Sequence, residues 1–346
     1  MSDKIKPSGA HAKGAVALIK HRGKANFRNE MSRRLFIAVR TQMVSSSLPQ
    51  LSNCFKQAIS WKPGQVPHAI SAGLALEEHP PEWAECMEGT PLTAATRLTF
   101  IGEEVTALKA FANSIFSLTT EVGFNQQLLE LLILARKVDE NLTNWEYSVP
   151  EGWRPQSASD TTSAALLKFQ AYGTSMYIYH DLWVASTWNS YRLLRLVPQA
   201  IMLKCTARAP SCRPSNMPHG PPSYIQTMQK LVNDVCASVP FAAGDKVSPG
   251  QKIVDYPWIP NALIPATHRR VASAVGPWFL LGPLTTCLEL ETSAGLDVEV
   301  IEVKQRRWII NQMGRFRRLY GLKDSIPGTV SDFEKTPPGS LRLPKL

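Results

Sequence analysis

Apolar residues in this chain recur every three or four positions over long stretches, and nowhere do they alternate over a strand length next to a hairpin turn. Between residues 92 and 118 the series Leu98, Ile101, Val105, Leu108, Ala112, Ile115 and Phe116 predicts one long helix. Met31, Leu35, Val39 and Met43, with Phe36 beside them, predict an amphipathic helix over 29–44. The run QLLELLILARKV at 127–138 is apolar enough to sit at the centre of a core. Further helices are expected over 9–23 (stopped by Gly23), 47–61, about 69–76, 164–197 (closed by Pro198, resuming through Leu203), 223–239, about 268–291 and 295–320, where Gly321 occupies a C-cap position. The 26 prolines must then fall mostly in connections. The expected fold class is all-α: an irregular multi-helix domain with long Pro-rich connections near 62–91, 148–162, 207–222 and 242–265. It is framed by a disordered start at 1–8 and a disordered tail at 326–346.

Composition supports a packed domain of this kind. Hydrophobic residues make up 44% of the 346 residues and charged residues 19%, enough to bury a core and too little charge for a disordered chain. The apolar run GPWFLLGPLTTCLEL at 276–290 is interrupted by Pro277 and Pro283, and the opening MSDKIKPSGAHAKG lacks an apolar targeting core. The expectation is a chain with neither a membrane span nor a signal peptide. The net charge of +10 is uneven: residues 1–40 carry +8, residues 304–323 carry +7, and residues 41–303 carry −5. Basic ends of this sort can meet phosphates, although solvated helix faces look the same in sequence.

Reactive chemistry leaves no pattern. Cys54, Cys86, Cys205, Cys212, Cys236 and Cys287 form no CxxC pair and read as buried free thiols. The seven histidines have no metal-ligand spacing, and neither a nucleophile elbow nor a phosphate-binding glycine loop occurs. His180-Asp181 reads as a polar notch on a helix rather than a catalytic pair, and Glu77-Glu78 and Glu103-Glu104 are neighbours that cannot face each other on a helix. No catalytic, cofactor-binding or metal residue is therefore named, and no cofactor is expected. Tyr172, Tyr177, Tyr179, Trp183, Trp188 and Tyr191 are expected on more than one face of the 164–197 helix. They read as core packing, with a ligand pocket among them as the alternative.

Five segments, taken in order, resemble the regulatory region of fungal zinc-cluster transcription factors. Residues 9–43 carry Arg22-Gly23, Phe27 and Arg33-Arg34-Leu35-Phe36; residues 182–205 carry Trp183, Asn189, Tyr191 and Arg192. Residues 231–245 read LVNDVCASVPFAAGD, residues 276–284 read GPWFLLGPL, and residues 306–325 read RRWIINQMGRFRRLYGLKDS. The resemblance covers about 9–325. It implies a helical regulatory domain, Trp183, Trp278 and Trp308 as core residues, Gly276 and Gly282 as helix-end or close-contact glycines, and a nuclear location (cytoplasmic otherwise). The two CxxC pairs of the family's six-cysteine DNA-binding module are missing here. This chain is accordingly expected to lack zinc and sequence-specific DNA binding of its own, as a truncated gene product or a cluster-less paralogue would. Its partners would be transcription machinery, another regulator or a small effector, with no membrane partner and no enzymatic activity. Two other readings stay open: a helical small-molecule-binding protein or enzyme of secondary metabolism, and non-specific nucleic-acid binding through the basic ends.

Overall fold

A computed structural model describes residues 93–117, 124–157, 171–173, 175–208, 221–245, 265–296 and 298–322. The protein is all-α: the described residues form six helices and a single pair of two-residue strands. The helices expected over 9–23, 29–44, 47–61 and 69–76 lie outside the described residues. The chain divides into two compact units, residues 1–300 and 301–346.

In the first unit, α1 (Ala94–Phe116) starts at Thr93, whose hydroxyl accepts from the Thr96 N–H at 3.2 Å, and buries Leu98, Val105, Leu108, Ala112 and Ile115, as its spacing predicts. α2 (Phe124–Ser148) packs along it. The Trp145 indole donates to the Ala94 carbonyl at 2.7 Å, which satisfies a buried polar group and fixes the register of the two helices. A 3-10 turn at Glu151–Trp153 leads into β1 (Gln156–Ser157), paired antiparallel with β2 (Tyr177–Ile178).

Residues 164–170 of the helix expected over 164–197 lie outside the described residues; among the described ones the helix starts at Leu182. Gly173 takes φ +71°, Tyr177–Ile178 is extended, and Asp181 caps the helix by accepting from the Val184 N–H at 2.8 Å. Tyr172, Tyr177 and Tyr179 therefore precede this helix instead of lining it. Nor does Pro198 close it: α3 runs Leu182–Arg208 with Pro198 inside. The proline removes one ladder bond, but α3 is the hub of the unit, touching α1, α2 and the two helices that follow it, and burial on every side holds it. α4 (Pro221–Ala242) lies against α3 and β2.

α5 (Pro265–Ala294) continues through both Pro277 and Pro283, so these prolines do not break the apolar run. By length and composition, Val271–Thr292 could cross a membrane, a test that core helices of soluble proteins also pass. Its inner stripe, Ala272, Gly276, Leu280, Leu284 and Cys287, is buried, and the helix packs on α3 and α4. Trp278 lies two residues off that stripe, on the opposite side, and is 50% exposed. The expectation that it is a core residue is thus overturned; Trp183 and Trp308 are half-buried, and among the described residues the buried indoles are Trp145, Trp153 and Trp188.

The expected helix over 295–320 also starts late. Gly295, at φ +59°, ends α5: its N–H donates to the Thr292 carbonyl and the Leu296 N–H to the Glu291 carbonyl, the two bonds of a Schellman cap. In the second unit α6 (Val303–Leu319) buries Ile309, Met313 and Phe316. Gly321 repeats the same cap at φ +62°, with the Leu322 N–H bonded to the Arg317 carbonyl.

Candidate functional site

Two polar features stand out in the first unit: a buried arginine node and an open cleft. The node is built on α3. Arg192 is 2% exposed, and its guanidinium donates to the Tyr179 hydroxyl at 2.9 Å and to Asn189 Oδ1 at 2.8 Å. Asn189 reaches α4, where its amide donates to the Ser238 hydroxyl at 3.0 Å. The rings of Tyr177, Tyr179 and Trp188 surround the guanidinium at 5.5, 5.8 and 5.9 Å from their centroids. Burial opposes the charge. The Tyr179 hydroxyl and the Asp234 carboxylate outweigh it and keep the guanidinium pKa above its ordinary value. Asp234 is itself held by Tyr177, whose hydroxyl donates at 3.0 Å, and by Lys230 at 2.9 Å. A buried cation is tolerated here because hydrogen bonds, aromatic faces and a nearby carboxylate all answer it.

The aromatic residues are packed against one another. Trp145 stacks on Tyr191 at 5.0 Å and meets Trp188 edge-on at 5.3 Å, while Trp153 meets Trp183 at 5.2 Å. The Trp188 indole donates to the Trp153 carbonyl. His180 and Asp181 do contact each other, at 3.2 Å, but Asp181 is spent on the helix cap. Glu104 accepts from Asn141 at 2.8 Å between α1 and α2, and its carboxyl is pushed up by burial.

A cleft of about 490 Å³ opens between α2, α3 and α4. Arg136, Asp139, Glu140, Thr143 and Asn144 line it from α2, with Arg195, Gln199 and Met202 from α3 and Ser223, Tyr224 and Thr227 from α4. Arg195 donates to Asp139 at 2.9 Å, to Glu146 at 3.3 Å and to the Tyr191 hydroxyl at 2.8 Å. Arg136 pairs with Glu140 at the exposed edge. Gln199 is 3% exposed, yet its Oε1 has no hydrogen-bond partner. No sequence motif announces this cleft. Its one trace is spacing: residues 136, 139, 140, 143 and 144 fall on one helix face, as do 195, 199 and 202.

Among the described residues no group of three or more His, Cys, Asp or Glu is arranged to hold a metal. Cys205, Cys236 and Cys287 are buried and unbridged, while Cys54, Cys86 and Cys212 lie outside the described residues. Burial pushes the Cys205 thiol up to about 12 and the Tyr177 hydroxyl up to about 12, the latter helped by Asp234; Tyr179 and Tyr191 are also raised by burial. In the unfolded chain these groups ionise from about pH 9 to 10. Above that range the unfolded state binds fewer protons than the fold, so stability must fall as pH rises. Denaturant midpoints are expected to be insensitive to these groups below about pH 9 and to drop steadily between about 9 and 12. A midpoint that stays flat across that window would contradict the placement of these groups in the core.

No protein-family model, curated protein or solved structure matches the chain.

Proposed function

We propose that this chain is a regulatory domain of the kind found in fungal zinc-cluster transcription regulators, working through protein or small-effector contacts and without a DNA-reading module of its own. One observation supports the reading above others: three of the five resembling segments meet in one interior. Asn189 and Arg192 of the second segment bond to each other, and Asn189 bonds Ser238 of the third. Gly276, which opens the fourth, packs directly on the Ala242 carbonyl at the end of the third. The Gly276–Ala242 approach is one of the contacts by which α5 packs on α4.

In this reading the helices are a scaffold whose packing an input biases, and the output is a surface offered to a partner. The arginine node gives an enzyme of secondary metabolism no support, since its polar groups bond to one another inside the core. Non-specific nucleic-acid binding would gain if the basic stretch 31–43 lay beside α6. Residues 31–43 lie outside the described residues, so the basic ends carry no separate reading.

The test is a tethered reporter in a fungal host. The full chain, fused to an unrelated DNA-binding domain, is expected to change reporter output several-fold in either direction, while the unfused chain shows no preference between a specific duplex and random DNA. Output at background from a soluble, cooperatively folded fusion would sink the proposal.

A further inference from the structure

We infer that the cleft between α2, α3 and α4 is a binding site for a small, uncharged, hydroxyl-rich molecule of the mono- or disaccharide class. The inference goes beyond the regulatory reading and stands without it.

Charge sets the first limit. The lining holds two cations and two carboxylates, and these are already matched: Arg195 with Asp139, Arg136 with Glu140. A ligand with net charge would have to break one of these pairs or enter beside a like charge. A neutral ligand leaves both intact.

Hydrogen-bonding capacity sets the second limit. The Thr143 hydroxyl donates to the Asp139 carbonyl and the Thr227 hydroxyl to the Ser223 carbonyl, at 2.8 and 2.9 Å. Their protons are spent, and their oxygens remain as acceptors. Gln199 lines the same wall, and its Oε1 is buried and unpartnered, a state that costs about 1–3 kcal/mol unless the side chain turns its amide into the cleft and something there donates to it. The wall therefore asks for several donors at once. Hydroxyls meet this need best, because each donates and accepts and so satisfies the Gln199 amide in either orientation. Met202 and the Tyr224 ring supply apolar surface beside these acceptors, as the carbon face of a sugar requires. At about 490 Å³ the cleft falls within the usual range for small-molecule sites, about 300–1,000 Å³.

The experiment titrates the full chain with D-glucose, D-galactose, maltose and cellobiose by calorimetry, with L-lysine and L-glutamate as charged comparisons. At least one sugar is expected to bind with a Kd of about 1 mM or tighter, and neither amino acid should displace it. Gln199→Leu keeps the shape and removes the acceptor. It should weaken sugar binding about tenfold or more, equivalent to about 1.4 kcal/mol, while leaving the thermal midpoint equal or higher. Thr227→Val, isosteric and on a different helix, should weaken binding as well, and it carries the test alone should Gln199→Leu fold poorly. The proposal fails if none of the four sugars binds up to about 10 mM, if an amino acid binds in their place, or if both variants bind like the parent chain.

Discussion

Gly276→Ala is expected to destabilise the fold by about 3 kcal/mol, toward the upper end of what overpacking costs. Helix propensity argues the other way, since alanine in a helix interior gains about 1 kcal/mol over glycine. Sterics decide the sign. A Cβ at position 276 would overlap the Ala242 carbonyl oxygen, and its next neighbours are the Ala242 carbonyl carbon and the Leu182 side chain. A carbonyl at the end of α4 cannot swing aside as a flexible side chain could, so α5 would have to move off α4 as a body. The checks are denaturant unfolding and the exposure of Trp278 and Phe279, which the altered helix should change. A neutral or stabilising Gly276→Ala would mean that α5 does not seat on α4 in this way.

Arg192→Ala should cost still more, about 4 kcal/mol, in the range found when one member of a buried charged network is removed. The change leaves the Tyr179 hydroxyl and Asn189 Oδ1 without their donor and opens a cavity ringed by Tyr177, Tyr179 and Trp188. Arg192→Lys is not expected to rescue it, because a single ammonium cannot reproduce a planar guanidinium that donates to two groups and stacks between rings. Lys230→Ala supplies the contrast. Its bond to Asp234 is made by a side chain that is 69% exposed, and its loss should move stability by about 0.5 kcal/mol or less. Equal effects from the two substitutions would show that Arg192 is not the buried centre of the node.

Much of the helical order was legible in the sequence, and the misses have separate physical causes. α1, α4 and α5 follow from apolar spacing, and the caps at Gly295 and Gly321 follow from glycine at a helix end, though only the second was read so. The start of α3 was misplaced because Tyr177, Tyr179 and Trp183 keep an apolar rhythm across the Asp181 cap, and rhythm alone cannot tell β2 from the helix it precedes. Pro198, Pro277 and Pro283 mark helix ends by local rule, yet tertiary packing on α3 and α5 outweighs the lost bonds. The resemblance places Trp278 in the core; its position relative to Gly276 and Leu280 turns it outward. The cleft was illegible because its residues come from three helices separated by long connections. The helix-face spacing of its residues, Gln199 among them, is its one trace.

The claim that the resembling segments form one physical unit rests most directly on Asn189 and Ser238, on α3 and α4. A double-mutant cycle with Asn189→Ala, Ser238→Ala and the pair, read as unfolding free energies, measures their coupling. The account predicts an interaction of about 1 kcal/mol or more, since the Asn189 amide donates to the Ser238 hydroxyl at 3.0 Å in a buried site, the hydroxyl's own proton going to the Val235 carbonyl. Single-mutant costs that simply add, to within about 0.3–0.5 kcal/mol, would contradict it and leave the second and third segments as neighbours without a shared interior.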